Sequence, residues 1–170
     1  MPFTIPSGRK VVIAGNPVIE ELTAEGTGVK PGRLVKKGTA ATQVAVVAAA
    51  TDKPSGWVGW DGEGAHPGAS PATRDTAYTA AKKAPVIYGP GAILVAKLAS
   101  GQNVTKDTPL IPGADGELAA AATMSQTGSL GHVGATSSGS FPPGGMIVAL
   151  AKEDKDASSG ALDIIVESLI

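Results

Sequence analysis

Apolar residues along this chain come in short runs, and each run is closed by a cluster of Gly, Pro, Asn or Asp. Such a pattern predicts strands joined by turns. Val11 to Ala14 ends at Gly15-Asn16-Pro17, and Val18 to Thr23 follows where the second arm of a hairpin would lie. Arg33 to Lys37 and Gln43 to Ala49 read as two more strands around Gly38-Thr39, and Gly56 to Trp60 as a short one that carries both tryptophans. Pro85 to Tyr88, Ala92 to Leu98, Leu110 to Ile111, Glu117 to Ala121, Leu130 to Ala135 and Met146 to Ala151 continue the series, with Pro112 to Gly116 the clearest turn among them. Thr76 to Lys83 fits a helical turn as well as a strand start. In the closing run, Leu162 to Ile170, alternate positions Leu162, Ile164 and Val166, with Ile170, face one way. Asp163 and Glu167 face the other, so a half-buried strand is expected.

Three stretches fall outside this rhythm. Met1 to Lys10 holds two prolines and two basic residues before any regular pattern and reads as a flexible, extended N-terminal arm. Asp61 to Arg74 and Gly134 to Gly145 are rich in Gly, Pro and Ser and read as long loops. An internal echo joins Gly32-Arg33-Leu34-Val35-Lys36-Lys37, followed by Gly56-Trp57-Val58-Gly59, to Ala92-Ile93-Leu94-Val95-Ala96-Lys97, followed by Gly131-His132-Val133-Gly134. It suggests a duplicated β unit. The fold class expected is all-β: residues 1–10 an arm, and residues 11–170 one compact domain of β-barrel or β-sandwich type with long Gly/Pro loops.

Composition sharpens this picture. Gly and Pro supply 36 of 170 residues. At roughly 1 and 3 kcal/mol each in a helix interior, they work against long helices. Only two Trp, two Tyr and two Phe are present, so the core must be built from small side chains, and symmetric self-association would add to the apolar area buried per chain. A net charge of −1 supplies no field for nucleic acid. The longest apolar stretch, Val44 to Ala50, is far short of the roughly 20 residues of a membrane helix. No secretory signal pattern opens the chain, and a soluble protein made in the cytoplasm is expected.

The search for chemistry returns no matching set. No cysteine is present, and His66 and His132 belong to no metal-binding spacing. Ser137, Ser138 and Ser140 have no nucleophile elbow around them, and Gly26-Thr27-Gly28 and Gly62-Glu63-Gly64 do not complete a phosphate loop. The acidic clusters, Glu20-Glu21, Asp61 with Glu63, and the mixed run Lys152 to Asp156, lack calcium-loop spacing. A paired-carboxylate glycosidase is disfavoured by the scarcity of aromatic platforms. The expectation is a non-enzyme with no cofactor and no metal.

The segments Pro31-Gly32-Arg33-Leu34-Val35, Gly56-Trp57-Val58-Gly59, Gly91-Ala92-Ile93-Leu94-Val95, Gly101-Gln102-Asn103-Val104 and Gly131-His132-Val133-Gly134 together resemble the capsid cement, or head decoration, proteins of tailed phages. The resemblance spans roughly Val29 to Leu150. It implies a small β-rich structural protein of the virion, often a homotrimer, that sits on the outer capsid surface, binds the viral major capsid protein and resists internal DNA pressure. It implies no nucleic-acid or membrane partner. The arm is then the expected capsid contact: Phe3 and Ile5 on one side of an extended strand, with Arg9 and Lys10 facing an acidic lattice. Gly91 to Ala121 is also similar to a biotinyl or lipoyl carrier domain, but its hairpin tip, Pro112 to Gly116, offers no lysine to modify. A glycan-binding β domain is the third alternative.

Overall fold

The computed structural model describes residues 10–60, 73–121 and 146–170. Its elements are nearly all strands: β1 (Val12–Ala14), β2 (Val18–Ala24), β3 (Leu34–Lys37), β4 (Gln43–Val46), β5 (Gly56–Val58), β6 (Lys83–Tyr88), β7 (Ile93–Leu98), β8 (Asn103–Val104), β9 (Pro109–Pro112), β10 (Leu118–Ala120), β11 (Ala149–Ala151), β12 (Lys155–Asp156) and β13 (Leu162–Ser168). One 3-10 turn, Ala114–Gly116, joins β9 to β10. The all-β expectation holds. The segment left open, Thr76 to Lys83, is not helical: it delivers buried Tyr78, turns at Ala80-Ala81 and enters β6 at Lys83. The expected strand Leu130 to Ala135 and most of both long loops lie outside the described residues.

The strands form two five-stranded barrels with one topology. In the first, β2 pairs parallel with β4, and β4–β3, β3–β5, β5–β6 and β6–β2 are antiparallel, which closes the ring. In the second, β7 pairs parallel with β10, and β10–β9, β9–β11, β11–β13 and β13–β7 are antiparallel. The agreement extends to single hydrogen bonds. Gly32 N–H donates to the Val58 carbonyl at 2.8 Å, as Asp107 N–H does to Ala151 at 2.7 Å. Glu25 N–H donates to Val44 as Ala99 N–H does to Leu118, both at 2.8 Å, and Gly38 N–H to Gln43 as Gly113 N–H does to Glu117.

A duplicated unit is therefore present, but in a different alignment from the one the sequence echo suggests. β3 is the second strand of its barrel, whereas β7 is the first of its own. The true counterpart of β3 is β9, and that of β7 is β2. Strand composition repeats because both positions are buried, and this is why Leu-Val runs match across non-equivalent strands.

Alternation along the strands divides the core. Val35, Val58 and Val86 point into the first barrel with Leu22, Val29, Val44 and Tyr78. Their neighbours Leu34, Trp57 and Ile87 point out of it, into the cluster that fills the second barrel with Leu94, Leu98, Leu110, Leu118, Ile164 and Val166. The outer face of one barrel is thus part of the core of the other. Trp57 Nε1 donates to Ser168 Oγ at 3.0 Å across this seam, and Ser168 Oγ donates in turn to the Ile170 carbonyl. The last strand is more deeply buried than its alternation predicts. Ile164 and Val166 face the core as expected, but Ile165 on the opposite face pairs with Val95 and both are fully buried, while Leu162 is partly exposed.

Two glycines set how closely the barrels approach. Gly32 has φ +75° and a Cβ there would stand 2.8 Å from the Val95 carbonyl oxygen; Gly116 has φ +69° and its Cβ would meet the Leu34 carbonyl oxygen at 2.6 Å. Neither position accepts a side chain without moving backbone. Gly116→Ala is expected to cost about 2 kcal/mol or more in urea unfolding, whereas Gly160→Ala, with open space around it, should fall within about 0.5 kcal/mol of the parent. Trp57→Ala should cost about 3 to 5 kcal/mol. Equal midpoints for the two glycine variants would show that the seam tolerates a wider spacing.

Candidate interaction surface

Charged side chains stitch the seam from outside. Arg33, nearly buried, pairs with Glu117 of the second barrel and lies 3.7 Å from Asp75. Asp75 takes Lys97 Nζ at 2.9 Å, Lys97 reaches Asp163 at 3.4 Å, and Arg74 donates to Asp163 at 2.7 Å. Three cations and three carboxylates thus alternate along one network, and its links Arg33–Glu117, Lys97–Asp75 and Arg74–Asp163 cross between the two halves of the chain. The Lys97 hydrogen bond, with the nearby charges of Lys97, Arg33 and Lys30, holds the Asp75 carboxyl below the usual carboxylate range.

The other carboxylate clusters serve local structure. Glu153 accepts the Ile165 N–H, Asp154 the Lys106 N–H and Asp156 the Ser158 N–H. The mixed-sign run Lys152 to Asp156 ends in β12, which pairs with β8. Gly26, with φ +78°, belongs to the turn after β2, where the Glu25 carboxylate accepts from the N–H and hydroxyl of Thr39. Among the described residues no group of three or more His, Asp or Glu is placed to hold a metal ion.

A surface suited to binding lies at the start of β2. Val18 and Ile19 are 67% and 58% exposed, and Glu20 and Glu21 beside them are exposed as well. One edge of β2 pairs with β6 from Val18 to Thr23, whereas on the other edge β4 reaches only Thr23 and Ala24. From Val18 to Glu21 that second edge has no strand against it among the described residues. On the outer face of β2, toward β6 and away from the open edge, lies a groove of about 410 Å³ lined by Val12, Ile19, Trp60, Pro85 and Ile87, with exposed Lys10 also on its wall. Burial, and next to it the Glu20 carboxylate, push the Tyr88 hydroxyl above its ordinary value at this end of the barrel.

Of the residues expected from sequence to make contacts, Lys10 is described. It is exposed, and its carbonyl accepts from Arg74 Nη1 at 3.3 Å. Phe3, Ile5 and Arg9 lie outside the described residues, as do His66, His132, Ser137, Ser138, Ser140 and the Gly62-Glu63-Gly64 segment. The open edge of β2 was not foreseen. Its signal was present in Val18-Ile19-Glu20-Glu21, where two apolar residues followed by two acids break the alternation of a half-buried strand.

The ion network gives a pH dependence of known sign. A carboxyl whose folded-state value is depressed adds stability above its unfolded value near 4, and loses it as pH falls through the folded-state value. Thermal midpoints of the parent and Asp75→Asn should therefore differ most at neutral pH and converge as pH falls below about 4. Added salt should shrink the gap, since Asp75 is largely exposed. A gap that is constant down to pH 2.5 would remove Asp75 from the network.

No family model matches this chain, and none of the curated proteins does. Among solved structures, the chain is similar to the crystal structure of the N base of the head fiber gp8.5 of bacteriophage phi29, at a TM-score of 0.48 and 12% identity, over 90% of this chain and 94% of that one.

Proposed function

We propose that this protein is a structural component of a tailed-virus particle that binds the outer surface of the assembled capsid, through the major capsid protein, and stabilises it. The observation that carries the reading is the open, partly apolar strand edge of β2 on an otherwise well-buried pair of barrels. It offers main-chain groups and exposed apolar side chains for contact. The resemblance of the Gly/Val segments to capsid decoration proteins supplies the class of partner. Isolated small-side-chain barrels gain from association, and a homotrimer is the assembly proposed.

One feature weighs against the carrier alternative. A carrier needs a lysine at its hairpin tip, whereas the exposed residues of the β9–β10 tip are Ala114 and Asp115, and Gly116 beside them is buried with its N–H on the Val47 carbonyl at 2.7 Å.

Mixed with decoration-free capsids of the parent phage, the chain should co-sediment with them and raise their disruption temperature. Absence of both effects would reject the reading. Removal of residues 1–9 should leave fold and oligomer intact and weaken attachment, through loss of Phe3, Ile5 and Arg9; unchanged affinity would show that the arm is not the anchor. Sedimentation of the free protein should give about three times the chain mass of 16.8 kDa, and a monomer both free and on the particle would exclude the trimer.

A further inference from the structure

The internal duplication shows what an open edge like that of β2 receives. In the second barrel the equivalent edge, at the start of β7, is covered by β1, with Val12 opposite Leu94 and Ala14 opposite Ile93. Val95 N–H donates to the Val11 carbonyl there at 2.8 Å. By the matched registers of β2–β6 and β7–β13, Ile19 corresponds to Ile93, Glu20 to Leu94 and Glu21 to Val95. Thr23 and Glu25 donate their N–H groups toward β4, and Ala24 toward the β6 side. Alternation therefore directs the main-chain groups of Ile19 and Glu21 to the open edge.

We propose that this edge of β2 is a docking site for one antiparallel strand of a partner protein, a short extended segment of small apolar residues flanked by lysine or arginine. The main chain would add to β2 as β1 adds to β7, and an apolar side chain of the added strand would pack on exposed Ile19. The two charges select the partner. Where β7 offers Leu94 and Val95 to its strand, β2 offers Glu20 and Glu21, so a basic residue is matched and an acidic one repelled. A second copy pairing through the same edge would bring these carboxylates toward their own counterparts, and a different protein is favoured for that reason. On the reading above, on which this source rests, the strand is donated by the major capsid protein.

The probe is the peptide Arg-Lys-Val-Val-Ile-Ala, the sequence of residues 9–14, acetylated and amidated, titrated into the full chain while backbone amide shifts are followed by NMR. Shifts centred on Val18 to Glu21 are expected, and shifts elsewhere would overturn the site. Ile19→Pro removes the outward N–H while leaving the β6 pairing, a substitution edge strands accept. It should weaken the peptide by about tenfold or more. Glu20→Lys with Glu21→Lys should do the same without touching the main chain, and should favour a peptide with Glu-Glu in place of Arg-Lys. Unchanged binding by both variants would refute the proposal. If Ile19→Pro dissociates the free oligomer, the occupant is a second copy, and if the peptide binds only after residues 1–9 are removed, it is the chain's own arm; either result overturns the partner assigned. Capsids that bind Ile19→Pro and parent equally would refute the capsid strand alone. Failure of the parent to bind capsids, with the peptide still bound at β2, would refute the capsid reading and leave the site standing.

Discussion

Three side chains on the outside of the first barrel, Leu34, Trp57 and Ile87, hold the rest of the structure in place because they are inside the core of the second. The first barrel is lined mainly by valine and alanine, with Leu22 and Tyr78 the larger groups within it. Burying one tryptophan, about 150–250 Å² at about 25 cal/mol per Å², contributes on the order of 4–6 kcal/mol, so the seam is a large source of stability. The arrangement demands strands that are apolar on both faces at their centres. Leu34-Val35, Trp57-Val58 and Val86-Ile87 meet the demand, each pair sending one side chain to each core.

The seam also fixes where polar groups can go. Trp57 carries an N–H into it, and the Ser168 hydroxyl accepts that N–H and donates its own hydrogen bond to the Ile170 carbonyl. Arg33 enters from the side, and a nearly buried guanidinium requires a carboxylate, which Glu117 of the other barrel supplies. Gly32 and Gly116 let main chain meet main chain where a methyl group would hold the barrels apart. Apolar contact brings the halves together, and these polar and steric constraints fix their relative position.

Duplication normally hides edges, since each added strand covers another. Here the two copies differ: β1 covers β7, while the same stretch of β2 carries two glutamates and has no strand against it among the described residues. An uncovered edge invites indiscriminate pairing, and acidic side chains along it restrict which strands can add. The surface that distinguishes the two halves is thus the one best suited to a specific contact.

The sequence by itself determined the all-β class and most strand positions. Gly and Pro punctuation and β-branched runs act locally, through backbone φ limits and turn preferences that need no partner to operate. It also indicated that a unit is repeated. The alignment of the repeat required the tertiary structure, because Leu-Val runs recur wherever a strand is buried on both faces, and only the pairing of β3 with β5 and of β9 with β11 tells the second strand from the first. The burial of Ile165 beside Val95 and the joining of Arg33 to Glu117 were decided in the same way, by neighbours distant in sequence. Exposure of Val18 and Ile19 is a matter of what is missing beside a strand. Chain pattern records which side chains alternate, but only the packed sheet shows which edge has no neighbouring strand among the described residues.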